Sequence, residues 1–485
     1  MFRYAPIRLM SCLAASVVLL AACQTQADPV QAQASAPARS ATAHAGRALD
    51  GIWRSDGYGY AVELGEDTFR YFDVTPETCV EADTEGWGLS DVFDFYRMSA
   101  DGRAMYLSSG VEPYEYVFRR TAVLPDVCEH PMPDTPAATL DTFIAYFRTH
   151  YAFFDLYGVD WEALAVESRA ALPEDSSDEG LFTIMAGMLA DIRDAHVELT
   201  AEVDGEEVSY DANPGAIREA VNALAAAEGV PEREKARDFY INYWSDEIGE
   251  QVLGGKGVVT AQNRIQYGLT SDDIGYVAFM TVGGYTEAAF EDSSGDAAAL
   301  DAVMEEALAL FEIAEAKAVI IDLSINFGGH DFISRRIAGR FTDVPVKAYS
   351  KYANDSSDHT PFQEVIAPSE GRRFTGPVYV LTSPATVSGG ESLTMSLRPM
   401  PNVVHAGEAT RGALSDTLVK ALPNGWELSL SNEVYLDHEG KSWEAKGIPP
   451  EMPLAVFDPV NPFTGHVGAV KRLVEVIDRK GQQVR

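Results

Sequence analysis

Two apolar strands that each lead into a glycine turn and then into a helical pattern constrain the fold of this chain more than any other feature. The first strand covers residues 318–323 and leads to a Gly-Gly pair at 328–329. The second covers residues 378–382 and leads to Ser-Gly-Gly at 388–390. Apolar runs of this length, alternating with helical patterns, are typical of strands buried on both faces of a parallel sheet. The sequence therefore predicts an α/β core over residues 272–485 with a mainly parallel sheet.

The rest of the chain divides into segments of different pattern. Between residues 48 and 128, aromatic and β-branched residues alternate with polar ones between Gly and Asp turns, which predicts a small β-rich module. Residues 138–202 carry helical periodicity, and residues 203–271 are polar and helical in pattern and connect that segment to the core. Within the core, residues 426–435 alternate and predict one arm of a hairpin.

The first 23 residues are interpreted as a targeting segment and not as part of the fold. Arg3 and Arg8 form a basic region, and residues 10–22 form an apolar run that is too short to span a bilayer as a permanent helix. The run ends in Leu-Ala-Ala before Cys23, which resembles the lipobox of bacterial lipoproteins. This resemblance implies export and lipidation of Cys23. An ordinary cleaved signal peptide with an incidental cysteine is the alternative.

The residues after the cysteine bear on location. Gln24 follows Cys23, which in the lipoproteins that this segment resembles suits the outer membrane. We therefore expect an exported, periplasmic protein that is anchored to the bacterial outer membrane by its lipid alone. Residues 24–47 are rich in Ala, Gln, Ser and Pro, and this composition is typical of a flexible tether.

Cysteine usage and charge narrow the classes of function. Cys12 lies in the targeting segment, so Cys79 and Cys128 remain as an even pair in an oxidising compartment, which predicts a disulfide between them. Four cysteines without a C-x-x-C spacing argue against a zinc site, and we expect no metal or organic cofactor. The 37 basic and 74 acidic residues give a net charge of −37, and such a surface repels the phosphates of nucleic acids. Nothing in the sequence indicates an oligomeric state.

Four motifs follow one another in order along the core. They are Asp322-Leu-x-x-Asn326-x-Gly328-Gly329, Pro384-Ala-Thr-Val-Ser388-Gly-Gly-Glu391, Gly407-Glu408-x-Thr410-x-Gly412 and Trp443-Glu444-x-x-Gly447-Ile-x-Pro450. Together they resemble the S41 serine peptidases, the group that holds the C-terminal processing proteases, tricorn and the interphotoreceptor retinoid-binding protein repeats. The resemblance covers roughly residues 138–455 and implies a crotonase-like α/β spiral core with a helical cap over residues 138–202. No Gly-Leu-Gly-Phe loop of the PDZ kind is recognisable in residues 203–271.

The resemblance also implies a catalytic set. Ser388 matches the nucleophile, His196 the general base, and Glu444 the acidic partner that orients or polarises the histidine. A hydroxyl needs such a base, because it is inert near neutral pH until its proton is taken. The lysine that serves the processing proteases is replaced here by Ala413, which favours the tricorn-like scheme. The serine that tricorn carries beside its histidine is replaced by Ala195, so Glu444 must reach the imidazole directly or through water.

The oxyanion of the tetrahedral intermediate needs two hydrogen-bond donors. The resemblance implies the backbone N–H of Gly389 together with that of Gly328 or Gly329. With these groups in place, the chain is expected to be a serine-type endopeptidase that cleaves peptide or protein substrates by acyl transfer.

Several alternatives remain open on the sequence alone. His330 follows the glycine turn and competes with His196 for the role of base, as does His405 on a predicted strand. Lys420 or Lys446 could replace the missing lysine, and Lys446 could form a surface ion pair with Glu444. The chain could also be an inactive member that keeps the fold for binding, or a glycan- or envelope-binding lipoprotein whose β-rich module does the work.

Overall fold

The computed structural model describes residues 39–40, 49–66, 68–108, 114–230, 233–271, 273–357, 359–458 and 460–483. The predicted targeting segment, Cys23 and all of the predicted tether except residues 39–40 lie outside the described residues. Among the helices that the structure describes, none combines the length and the apolar character needed to cross a bilayer.

The N-terminal module is a single antiparallel sheet of eight strands in the order β1-β6-β7-β8-β2-β3-β4-β5. The strands are β1 Arg39–Ser40, β2 Gly51–Ser55, β3 Tyr60–Leu64, β4 Phe69–Val74, β5 Cys79–Glu81, β6 Phe95–Met98, β7 Ala104–Ser108 and β8 Tyr116–Thr121. Its core buries Trp53, Met105 and Phe118 completely. The predicted disulfide is present: Cys79 in β5 is bonded to Cys128, with the two Cα atoms 5.1 Å apart.

A helical cap follows the module. Its helices are α1 Pro136–His150, α2 Phe154–Tyr157, α3 Trp161–Ala171 and α4 Asp178–Leu189, followed by strands β9 Glu198–Val203 and β10 Glu206–Asp211. The side chains of Thr135, Asp160 and Ser177 accept backbone N–H bonds at the starts of α1, α3 and α4, as N-cap residues do. Two further helices, α5 Ala216–Ala227 and α6 Arg233–Glu247, lead to the core.

The core is built on a sheet of seven strands in the order β11-β12-β13-β14-β17-β18-β22. The remaining elements are β11 Val258–Thr260, β12 Ile265–Ser271, β13 Ile274–Phe279, α7 Ser293–Ile313, β14 Ala318–Asp322, α8 Asp331–Ala338, β15 Val346–Ala353, β16 Phe362–Ile366, β17 Val378–Thr382, α9 Gly389–Leu397, β18 Val403–Gly407, β19 Thr417–Ala421, β20 Glu427–Ser431, β21 Glu433–Asp437, β22 Met452–Pro453 and α10 His466–Gln483. The five strands from β13 to β22 pair in parallel.

Helices cover both faces of this sheet. In β14, Ile321 packs in one apolar cluster with α7, α8 and α9, while Ile320 packs on the opposite face in a second cluster with α6 and α10. Strands buried on both sides explain why their sequences are continuously apolar. The predicted fold class, an α/β core with an N-terminal β-rich module and a helical cap, is confirmed.

A four-stranded sheet in the order β10-β9-β20-β19 joins the cap to the core. Because β9 of the cap pairs with β20, the loop before β9 is carried to the core. The prediction that residues 426–435 form one arm of a hairpin is wrong in one respect. The chain breaks at Asn432, so that β20 pairs with β19 and β9, whereas β21 pairs with β15 in a separate sheet.

Candidate active site

Ser388, the predicted nucleophile, lies in the turn between β17 and α9. Its backbone has φ 54° and ψ −121°, a conformation that L-residues rarely adopt and that costs roughly 1–2 kcal/mol. Its N–H faces the carbonyl of Ala413 at 3.1 Å and the Oε2 atom of Glu391 at 3.2 Å. Strain of this kind persists only where the surroundings fix it, and it is common at functional sites.

Glu391 fixes this turn from beneath. It is fully buried, and besides the N–H of Ser388 it accepts the N–H groups of Gly412 and Ala413, both at 2.8 Å, and the Thr410 hydroxyl at 2.6 Å. Burial raises the pKa of Glu391, while these hydrogen bonds act in the opposite direction. One carboxyl group therefore ties the serine turn to the Gly407–Gly412 motif, a role well beyond stabilising its own helix N-terminus.

The other glycine turn packs directly against Ser388. Asn326 orders it by donating to the Phe279 carbonyl at 2.8 Å and accepting the N–H of Gly328 at 3.0 Å. A Cβ atom on Gly328, whose φ is +78°, would lie 2.7 Å from the Ser388 Cβ atom, so only glycine fits there.

The three glycines proposed for the oxyanion hole are therefore not equivalent. The Gly328 N–H already donates to Asn326 and is not available. The N–H groups of Gly329 and Gly389 have no hydrogen-bond acceptor within the described part of the chain. Gly329 is exposed, and it borders the same cavity as Ser388. This pair of N–H groups is the one that could receive an oxyanion.

Ser388 opens onto a cavity of about 330 Å³. The N-terminal module contributes Tyr114 and Tyr116 to its wall, and the core contributes His330 and Lys351. The cavity is at the lower end of the range of roughly 300–1,000 Å³ that ligand pockets occupy. Its position makes the N-terminal module part of the surroundings of Ser388, which no sequence pattern indicated.

His196, the predicted base, is not among the residues that line this cavity. The residue is half-buried just before β9, where its N–H donates to Asp194 at 2.9 Å and its carbonyl accepts the Ser429 hydroxyl at 2.9 Å. Its Nδ1 atom is buried without a hydrogen-bond partner in the described residues. The structure records no hydrogen bond between His196 and either Ser388 or Glu444 among these residues.

The competing histidines differ in position. His330 lines the cavity with Ser388, stacks on Phe332 with ring centroids 5.1 Å apart, and has its Nε2 atom 3.1 Å from the Phe290 carbonyl. His405 is fully buried in β18 and bonds to the Thr382 hydroxyl at 2.7 Å. Burial lowers the pKa of His405 to about 3. His405 is thus a core residue, whereas His330 remains a candidate base.

Glu444 is buried at 3% exposure and interacts electrostatically with Asp194, in the loop that carries His196. Its carboxyl group accepts the N–H groups of Leu414, at 3.1 Å, and Ser415, at 3.0 Å. Burial, followed by the neighbouring carboxylates of Asp194 and Glu391, raises the pKa of Glu444 well above its ordinary value. Glu444 therefore lies between the cap loop and the support of the serine turn.

Neither alternative lysine fits the site. Lys446 is exposed, and no ion pair joins it to Glu444 within the described residues. Lys420 is fully buried and paired with Asp73 of the N-terminal module at 2.5 Å. Neither lysine can therefore take over the function of the missing lysine as a general base.

Sequence reasoning missed Lys351, which lines the cavity. Its ammonium donates to Glu433 at 2.9 Å and to the Tyr435 hydroxyl at 3.0 Å, and it lies 3.9 Å from Asp331. Burial works against the charge, but the carboxylates of Glu433 and Asp331 raise the pKa of Lys351 well above its ordinary value. Lys351 is therefore a permanent cation and not a base. A lysine in a strand of alternating polar and apolar residues has no local sequence pattern that marks it as part of a functional site.

One family model and several solved structures are similar to parts of this chain. Residues 273–454 match the model of peptidase family S41. A structure from Parabacteroides merdae ATCC 43184, described as a candidate peptidase, has 23% identity and a TM-score of 0.53, over 71% of this chain and 97% of that one. Mature CPAF in complex with lactacystin has 13% identity and a TM-score of 0.48, over 72% of this chain and 98% of that one. The tricorn protease has 13% identity and a TM-score of 0.39, over 86% of this chain and 44% of that one. The segment that matches peptidase family S41, residues 273–454, therefore contains Ser388 and both glycine turns of the candidate site.

Proposed function

We propose that this chain is a serine peptidase that hydrolyses peptide bonds through Ser388. The observation that carries the proposal is the strained Ser388 turn, which opens onto a cavity beside two backbone N–H groups that have no acceptor among the described residues. A hydroxyl exposed on such a turn, next to donors that are already oriented, is what acyl transfer requires. The family match of the core supports a peptidase as the general class.

In the proposed reaction, the Ser388 Oγ atom attacks the scissile carbonyl while its proton passes to a base. The carbonyl oxygen becomes an oxyanion and accepts the N–H groups of Gly389 and Gly329. Collapse of this intermediate breaks the C–N bond, and the base returns the proton to the leaving amine. Water, activated by the same base, then hydrolyses the acyl-enzyme and frees Ser388.

We assign the base to His196. Its loop is held against the core because Asp194 accepts the hydroxyls of Ser431 and Tyr151, each at 3.0 Å. Imidazolium formation would add a proton to a ring whose Nδ1 atom is buried without a partner in the described residues, in the same loop as the Asp194 carboxylate, which accepts the backbone N–H of His196. Negative charge in such a buried place stabilises the cation that forms. In this scheme the negative charge is that of Asp194, and Glu444, whose raised pKa favours its neutral form, is the acidic neighbour of Asp194.

His330 is the second candidate for the base, because it borders the cavity that Ser388 opens onto. The two assignments separate in a panel of variants assayed for labelling by a fluorophosphonate and for peptide turnover. Ser388→Ala should abolish both signals. His196→Ala should lower kcat/KM by about 10²–10⁴-fold, as loss of a general base does, and His330→Ala by less than about tenfold. The reverse order would assign the base to His330.

The same assays separate catalysis from binding. If the wild-type protein gives neither labelling nor turnover over a broad range of substrates and pH, the chain is an inactive member of its family that keeps the fold for binding. Labelling that survives Ser388→Ala would also refute the proposed nucleophile.

We further propose that the chain is an exported lipoprotein, on the basis of the Leu-Ala-Ala-Cys23 segment. Cells that express it should incorporate a palmitate analogue into the protein and retain it in the outer-membrane fraction. Cys23→Ala should abolish incorporation of the palmitate analogue and should release the protein from the outer-membrane fraction. Wild-type protein that is soluble in the periplasm and unlabelled would favour the ordinary signal peptide.

A further inference from the structure

The cavity at Ser388 has walls from two parts of the chain that are far apart in sequence. Tyr114 and Tyr116 come from the N-terminal module, whereas Phe290, Asp416 and Tyr435 come from the core. A peptide held at Ser388 would place a neighbouring side chain in this cavity. The chemistry of the walls therefore bears on which side chain is accepted.

The charges around the cavity are predominantly negative. Asp331, Asp416 and Glu291 all line it, and Lys351 is the cation opposite them. The ammonium of Lys351 is already balanced by Glu433, which is buried behind the wall with 3% exposure. The remaining carboxylates leave the cavity with a negative charge, which favours a ligand group of positive charge.

The Asp416 carboxyl group makes few hydrogen bonds within the described part of the chain. Asp416 is exposed at the cavity, and its Oδ1 atom accepts the adjacent N–H of Thr417 at 2.8 Å. Lys351 interacts with it electrostatically, but no cation lies within ion-pair distance of it among the described residues. Asp331, in contrast, accepts the hydroxyls of Tyr435 at 3.0 Å and Tyr349 at 3.2 Å. Asp416 therefore has free capacity to accept hydrogen bonds from a ligand.

The aromatic wall already holds a cation. The Nζ atom of Lys351 lies 4.4 Å from the ring centroid of Tyr114 and 5.2 Å from that of Tyr435. Contacts of this kind attract ammonium and guanidinium groups to ring faces. Acidic residues alone would not define a site. Here they border a cavity whose wall also includes the proposed nucleophile and several aromatic rings.

Resting on the proposed function, we propose that this cavity binds a lysine or arginine side chain of the peptide beside the scissile bond. Asp416 accepts the hydrogen bonds of its cationic group, and the rings of Tyr114 and Tyr116 cover its aliphatic stem. The N-terminal module thereby takes part in substrate selection. The net charge of −37 favours the approach of the same cationic peptides.

Binding to Ser388→Ala protein tests this specificity without requiring turnover. Two fluorescent peptides that differ in one residue, lysine or norleucine, are titrated and followed by anisotropy. The lysine peptide should bind about tenfold more tightly, and the preference should fall on adding salt. Adding Asp416→Asn should reduce the preference to about threefold or less. Asp175→Asn is the matched control, because it removes the same charge from an exposed site on the cap, outside the cavity.

The role of the module is tested by Tyr114. Tyr114→Phe keeps the ring and should keep the lysine preference, whereas Tyr114→Leu should reduce it about threefold. Equal binding of the two peptides, or equal effects of Asp416→Asn and Asp175→Asn, would overturn the inference. The proposed function is judged separately by turnover in the wild type. Turnover through Ser388 without a lysine preference refutes only the specificity, and a lysine preference without turnover refutes only the catalysis.

Discussion

The buried ion pair between Lys420 and Asp73 joins the N-terminal module to the rest of the chain. Lys420 in β19 is fully buried, Asp73 in β4 has a side-chain exposure of 8%, and the Nζ and Oδ1 atoms are 2.5 Å apart. The ammonium also lies 3.8 Å from the ring centroid of Tyr60. Removing one partner leaves the other charged and enclosed, with little access to water.

The expected loss of stability follows from this burial. Breaking a buried pair by removing one partner typically costs about 3–5 kcal/mol, whereas replacing both partners by apolar residues of similar volume is often close to neutral. We therefore expect Lys420→Met and Asp73→Leu each to lose about 3–5 kcal/mol of unfolding free energy. The double variant should lose less than either single variant.

The two single variants should also differ in their dependence on pH. In Lys420→Met the orphaned carboxyl group can be neutralised by taking up a proton, so the loss should be smaller at pH 5 than at pH 8. In Asp73→Leu the orphaned ammonium is neutralised only by losing a proton, so the loss should shrink as the pH is raised. Urea denaturation with the disulfide intact, followed by intrinsic fluorescence, measures both trends. The reasoning would be refuted if either single variant lost less than about 1 kcal/mol of unfolding free energy, or if the double variant lost as much as the two single variants together.

Three further changes test other parts of the structure. Asp322→Ala should lower the free energy of unfolding by about 2–4 kcal/mol, because it leaves His466, 2.7 Å from Asp322, buried without that partner. Burial acts to raise the pKa of Asp322, but His466 and the neighbouring hydroxyls lower it overall, so in the wild type this stabilisation is present above about pH 4 and is lost on acidification. Gly328→Ala should lower the rate of fluorophosphonate labelling at least about tenfold, because its Cβ would displace Ser388; unchanged labelling would contradict the packing. Burial raises the pKa of Glu364 to about 7. Glu364→Gln should therefore raise the free energy of unfolding by on the order of 2 kcal/mol at pH 8 and leave it unchanged near pH 4.5. An equal effect at both pH values in thermal melts would contradict the raised pKa of Glu364.

The parts of the fold that were predictable are those whose signals are local. The strand expected at 378–382 is observed as Val378–Thr382, and the helix after it runs from Gly389 to Leu397. Strands buried on both faces must be apolar throughout, and glycine marks where they turn, so both features are written in adjacent residues. The arm at 426–435 shows the limit of such signals. Alternation specifies a strand but not its partner, and the change of sheet depends on contacts such as that of the Glu433 N–H with the Ser415 hydroxyl.

The candidate site divides in the same way. Ser388 and its flanking glycines were predictable because one turn contains them. Lys351 and Tyr114 were not, because they reach the cavity from strands with unrelated local patterns and are separated by more than two hundred residues. The link that Glu391 makes between the serine turn and the Gly407–Gly412 motif depends likewise on their meeting in space. A motif identifies the reacting group, whereas the residues around it depend on the tertiary fold.

The way in which the N-terminal module is attached determines how its role can be tested. Several polar contacts join it to the remainder; they include Asp73 to Lys420, the Tyr58 hydroxyl to Glu433 at 2.6 Å, and the Tyr58 N–H to Asp355 at 3.1 Å. Glu433 in turn holds Lys351 beside Ser388. Deleting residues 48–125 would leave Lys420 and Glu433 without these partners and remove the disulfide.

We therefore expect that deletion to destabilise the cap and the core, and not merely to remove a separate binding function. Loss of cellular function on deletion would then be no evidence for a glycan-binding module. The informative comparison is between the deletion and Tyr114→Leu, with urea denaturation as the measure of folding. If the deleted protein keeps the unfolding midpoint and the peptide turnover of the full chain, then the module is an independent appendage. In that case the buried contacts described above contribute little to the stability of the core.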